Sequence, residues 1–122
     1  MIRVAIIEDE VTIAQMYEFK LKQAGYDVKF ALDGTAGLKL ISEFRPKLIL
    51  LDLMMPGMTG HELLQKIRKE PWGAEIKVII LTNISSEEAP DELNELNISR
   101  YIVKAQTTPQ EVADMVQETV GI

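Results

Sequence analysis

Apolar residues along the chain gather into five short runs, at residues 2–7, 28–31, 48–51, 78–81 and 101–103. Each is rich in Ile, Val or Leu and too short for a helix, which suits strands covered on both faces. The segments between them carry a helical rhythm. The last is the clearest: Val112, Met115, Val116, Thr119 and Val120 recur at i, i+3, i+4, i+7 and i+8, one stripe of a helix. It opens with TPQE, in which Thr108 serves as N-cap, Pro109 takes the first helical position and Glu111 closes a capping box. A first helix is expected over about residues 10–24, stopped by Gly25. A third follows Thr59 or Gly60 and carries Leu63, Leu64 and Ile67. A fourth is expected around residues 87–96, where Pro90 permits helix only near its first turn. Five strands alternating with five helices predict an α/β fold with a parallel sheet, and right-handed crossovers place helices on both of its faces. Such sheets take ligands at the carboxyl ends of their strands, where the strand order reverses.

Polar residues stand at those ends. Glu8, Asp9 and Glu10 follow the first run, Asp52 the third, Thr82 and Asn83 the fourth, and Lys104 the fifth. Singly each has an ordinary explanation. Asp52, in LILLDLMMPGMTG, could be a turn former, and Glu8 and Asp9 could favour the positive end of the first helix. Thr82 could merely end a strand, and Lys104 could be a solvated loop lysine. Jointly they place carboxylates, a hydroxyl and an ammonium on one edge of the sheet. Carboxylates gathered there repel one another unless one protonates or a divalent cation binds. With oxygen ligands and no nearby His or Cys, magnesium is the fitting ion. Lys104 and Thr82 suit the remaining oxygens of a phosphoryl group, and an ionised Asp52 could attack phosphorus in line. The chemistry predicts an aspartyl-phosphate site.

Composition narrows the classes. At 122 residues, 47% of them hydrophobic, the chain suffices for one domain with a real core, taken as residues 1–122. No apolar run approaches the roughly 20 residues that span a bilayer, and the start does not read as a signal peptide. Cysteine is absent, which removes disulfides and thiolate metal sites. A formal net charge of −6 disfavours direct nucleic-acid binding. A cytoplasmic protein is the default expectation.

The acidic pair in IIEDE, the LLDLMMPGMTG signature, Thr82 after KVIIL and Lys104 after RYIV resemble, in this order, the receiver domain of two-component response regulators. The resemblance spans essentially the whole chain. It implies a flavodoxin-like sheet of order 2-1-3-4-5, with Asp52 as phosphoryl acceptor from a histidine kinase or phosphotransfer protein. It further implies magnesium held by Asp9, Glu8, Asp52 and the backbone carbonyl of Met54. Thr82 would bond the phosphoryl group and Lys104 would pair with its oxygens, and with Asp52 beforehand. Tyr101 matches the aromatic that reorients as Thr82 moves. The fourth helix, fifth strand and fifth helix would form an output face for a downstream protein or output domain, and phosphorylation could dimerise the domain. Enzymatic work would be limited to the domain's own phosphorylation and dephosphorylation.

The chain also departs from the family. Ala105 stands where a proline, joined by a cis bond, usually follows the lysine; a cis bond before a non-proline residue costs roughly 2.5–4 kcal/mol, so a trans bond is expected. Asn83 is larger than the residue usual beside the threonine and could narrow access to the phosphoryl group. Met54 and Ile84, two positions past Asp52 and Thr82, are apolar and unable to orient an attacking water, which predicts slow self-dephosphorylation. Met58 is expected as core filler, His61 in an ordinary surface role and Trp72 in a loop. Two competing readings are a magnesium-dependent phosphatase and a receiver that binds partners without phosphorylation. The first lacks a second acidic residue two positions after Asp52 and a substrate cap. The second is opposed by the intact set of Glu8, Asp9, Asp52, Thr82 and Lys104. Met1 and the lack of a linker favour a stand-alone domain.

Overall fold

The computed structural model describes residues 1–121. Strands β1 (Arg3–Ile7), β2 (Asp27–Ala31), β3 (Leu48–Leu51), β4 (Lys77–Thr82) and β5 (Arg100–Val103) alternate with helices α1 (Val11–Gln23), α2 (Gly34–Phe44), α3 (Gly60–Arg68) and α4 (Pro109–Val120). All pairings are parallel and the order is β2-β1-β3-β4-β5. This is the doubly wound, flavodoxin-like sheet that the sequence led us to expect.

The alternation of side chains along each strand divides the core into two layers. Leu48 and Leu50 of β3 join Val4, Ile6, Ile79 and Leu81 in a layer closed by α1 and α4. Ile49 and Leu51 join Ala5, Ile7, Val78 and Ile80 in a layer closed by α2 and α3. Burial on both faces explains why the strands read as continuous apolar runs. The helix ends follow the expected chemistry. Thr59 and Thr108 each cap a helix through a full capping box, with Glu62 and Glu111 reaching back. Gly25 takes φ +99° just past α1, a conformation that favours glycine.

One expected helix is missing. Between β4 and β5 the only regular structure is a 3₁₀ turn at Asp91–Glu95. Two features of the segment oppose a helix across 87–96. Pro90 has no N–H to donate and biases Ala89 toward extended backbone. Five acidic residues, Glu87, Glu88, Asp91, Glu92 and Glu95, repel one another at helical spacings with no basic residue to relieve them. The segment still covers the sheet, because Leu93 is buried and Ala89, Leu96 and Ile98 pack against the α2–α3 layer. Arg68, the last residue of α3, anchors it. Its guanidinium donates to the carbonyls of Leu96 (2.8 Å) and Asn97 (3.1 Å), and also to those of Gly73, Ala74 and Ile76.

Candidate functional site

The strand register brings the predicted residues to one level. Ile7 pairs with Leu51 and Leu51 with Ile80, so β1, β3 and β4 reach the same edge together. Thr82 pairs with Val103, which places Lys104 immediately past that edge. Glu8 and Asp52 therefore leave adjacent strands side by side, and the Asp52 N–H donates to the carbonyl of Ile7 at 3.0 Å. The third helix begins close by, since a Cβ on Gly60 would lie 2.1 Å from the Asp52 carbonyl oxygen.

Lys104 bridges the two carboxylates. Its Nζ donates to Asp52 Oδ2 at 3.0 Å and also to Glu8 Oε1. The free oxygens are held by backbone: Glu10 N–H donates to Glu8 Oε2 and Met54 N–H to Asp52 Oδ1, each at 3.0 Å. Asp52 is thus both the turn former and the paired carboxylate. Lys104 is no solvated loop lysine, since its side chain is 10% exposed. Burial raises the Glu8 pKa above the usual carboxylate value, against the pull of Lys104. Burial also acts to lower Lys104, but its bonds to Glu8 and Asp52 outweigh it and hold the ammonium above its ordinary value.

Glu8, Asp9 and Asp52 offer ligand oxygens within 4.8 Å of one another. Three carboxylates against one ammonium leave an excess of negative charge that a divalent cation would neutralise, and an all-oxygen donor set suits a hard ion. Thr82 is fully buried and its Oγ1 has no hydrogen-bond partner among the described residues. A buried hydroxyl is left in that state at a cost unless something else supplies the partner. Above this set lies an open cavity of about 550 Å³, whose lining includes Asp9, Asp52, Met54, Asn83 and Lys104.

Residues 4–117 match the family described as response regulator receiver domain. The chain belongs to that family. Receiver domains of known structure are similar along nearly their whole length. Chemotaxis protein CheY4 of Vibrio cholerae is 28% identical at a TM-score of 0.89, with 98% of each chain covered. A CheY-like receiver domain protein from Methanospirillum hungatei JF-1 is 29% identical at 0.86, covering 97% of this chain and 92% of that one. A BeF3-activated DrrB receiver domain is 27% identical at 0.84, covering 100% and 99%. Receiver domains are in general signalling domains rather than enzymes. Among the described residues no helix is long and apolar enough to cross a membrane.

The remaining sequence candidates are spread over several elements. Tyr101 is half-buried, and its hydroxyl donates to the carbonyls of Ile84 (2.7 Å) and Ser85 (3.3 Å). No cis peptide occurs among the described residues, so the Lys104–Ala105 bond is trans, and Lys104–Gln106 form a 3₁₀ turn. Met54 is exposed on the rim, whereas Ile84 and Met58 pack against the α2–α3 layer. Trp72 lies in a short 3₁₀ turn, half-buried, with the Arg45 guanidinium 4.9 Å from its ring centre. His61 is more enclosed than a surface role implies, because its Nε2 is buried without a partner among the described residues. Sequence reading passed over Arg68.

Proposed function

We propose that this receiver domain is a phosphorylation-dependent switch with Asp52 as the acceptor. The observation that carries the reading is the buried Asp52–Lys104–Glu8 arrangement at the sheet edge, with the unpartnered Thr82 hydroxyl at the end of the neighbouring strand. The donor is a phosphohistidine on a kinase or phosphotransfer protein. Asp52 Oδ attacks phosphorus, the P–N bond breaks, and the imidazole nitrogen leaves with the bonding pair. Magnesium held by Asp9, Glu8, Asp52 and the Met54 carbonyl would supply charge neutralisation to the transferring oxygens. Lys104 moves from sharing its protons between two carboxylates to gripping a phosphoryl oxygen. Thr82 gains the partner it lacks. Its displacement is passed to Tyr101, whose hydroxyl releases or re-forms its bonds to the 84–85 backbone. The output face is then the 83–99 segment with β5 and α4, turned toward a protein target.

The test is intact mass after incubation with magnesium and acetyl phosphate. One phosphoryl group on the parent and none on Asp52→Ala is the expected outcome. No adduct, together with no beryllofluoride binding, would instead make this a receiver that binds partners without phosphorylation. Hydrolysis requires water to attack phosphorus and break the P–O bond to Asp52. Apolar Met54 and Ile84 leave that water unoriented, so the adduct decays slowly. A variant with polar side chains at both positions decays faster; equal rates would remove this explanation.

A further inference from the structure

The chain has six methionines and no cysteine, so its thioethers are the groups most open to two-electron oxidants such as hydrogen peroxide. Their surroundings differ. Met55 is 6% exposed, and Met58 and Met115 pack against the two core layers. Met1 stands at the amino terminus, and Met16 is exposed on α1. Met54 is 61% exposed and lines the open cavity over Asp52, together with Asp9, Asn83 and Lys104. It is also tied to the carboxylate. Its N–H donates to Asp52 Oδ1 at 3.0 Å, so its Cα, one N–Cα bond further, lies within about 4.5 Å of that oxygen. The side chain that starts there is unbranched, with three rotatable bonds.

A thioether is a weak hydrogen-bond acceptor, whereas oxidation to the sulfoxide makes the same side chain polar. Water that hydrolyses a phosphoryl group on Asp52 comes from this open cavity. Reduced Met54 offers it no strong acceptor. Oxidised Met54 offers one beside Asp52, with no new ionic charge and with room for the added oxygen. We propose that Met54 is an oxidation site that shortens the lifetime of a phosphoryl group on Asp52, the sulfoxide oxygen accepting a hydrogen bond from the attacking water and orienting it. The proposal rests on the phosphoryl-switch reading and adds a redox input to the same site. In the oxidation the peroxide O–O bond breaks, one oxygen joins the sulfur and the other leaves as water. The sulfur gives up two electrons and the peroxide gains them. In the hydrolysis the water oxygen attacks phosphorus, the P–O bond to Asp52 breaks, the carboxylate leaves with the bonding pair, and the water's proton passes to solvent. The sulfoxide is unchanged by that step, and methionine sulfoxide reductases return it to the thioether.

The parent, Met54→Leu and Met16→Leu are treated with a limited dose of hydrogen peroxide, and the sulfoxides are mapped by peptide mass. Treated and untreated proteins are then phosphorylated with magnesium and acetyl phosphate and freed of the donor, and phosphoryl loss is followed by intact mass. The parent and Met16→Leu are expected to carry a Met54 sulfoxide and to lose the group about 5-fold faster after treatment, the size of one ordinary hydrogen bond to the water. Met54→Leu should show one rate before and after. Reductase treatment should return the oxidised parent to its slow decay, with thermal melting unmoved throughout, which separates the effect from damage at buried Met55. Oxidation that takes Met16 and spares Met54 overturns the proposal and leaves the switch intact. So does an unchanged or slower decay with the Met54 sulfoxide in place, an equal acceleration in Met54→Leu, or an acceleration that the reductase does not reverse. An untreated parent that shows no adduct overturns this proposal, and the switch reading falls with it if beryllofluoride also fails to bind.

Discussion

Two connections leave the sheet from neighbouring strands and end differently. After β3 the chain builds α3, capped by Thr59 and Glu62, with Leu63, Leu64 and Ile67 buried. After β4 the chain has comparable apolar anchors in Leu93, Leu96 and Ile98, yet forms only the 3₁₀ turn at Asp91–Glu95. The difference lies in the polar residues. A threonine with a glutamate three positions later satisfies the first N–H groups of α3, while the N-cap position of the later turn is Pro90, with no side-chain cap. Charges of both signs decorate α3, but only negative ones occupy 85–95. Apolar residues decide which face is buried; caps and charge decide whether a helix stands behind it.

The comparison can be broken from its stronger side. Gly60→Ala places a Cβ against the Asp52 carbonyl oxygen, with main chain on both sides of the clash. A loss of about 3 kcal/mol in urea unfolding is expected, with a lower phosphorylated fraction. Parent-like stability would mean that the start of α3 is looser than its packing shows. Arg68→Met is expected to cost about 2 kcal/mol, because several carbonyls, some of them partly buried, lose a charged donor, and hydrogen exchange should rise at residues 93–98. Arg68→Lys should recover little, since a compact ammonium cannot span the same fork of acceptors. Unchanged exchange in both variants would dissolve the link between the two connections.

Smaller changes sharpen the contrast. Thr59→Ala removes the cap of α3 and should lower stability by about 1 kcal/mol. In the other connection, Pro90→Ala combined with Asp91→Lys and Glu95→Lys should add helical signal in far-ultraviolet circular dichroism, with stability moving by no more than about 0.5 kcal/mol. An unaltered spectrum would shift the blame from proline and charge to the packing of Leu93.

The sheet was legible because both its faces are buried, which leaves Ile, Val and Leu in unbroken runs. The site was legible because strand ends in a parallel sheet share an edge, so Glu8, Asp9, Asp52, Thr82 and Lys104 could be gathered without coordinates. The absent helix was misread for a definite reason. Leu93 and Leu96 supply apolar spacing that also suits a 3₁₀ turn, and the repulsion among five carboxylates leaves no mark on a hydrophobic pattern. Arg68 was illegible because its partners are main-chain carbonyls from two separate stretches, 73–76 and 96–97.

The Arg68 anchor also bears on sequence variation. Every oxygen it grips belongs to the main chain, at Gly73, Ala74, Ile76, Leu96 and Asn97. A tie of that kind reads the path of the chain and not the identity of its side chains. Exposed residues such as Glu92, Asn94 and Glu95 can therefore be exchanged with little structural consequence, while the loop stays moored. The domain has a surface free to drift toward new recognition without renegotiating its scaffold.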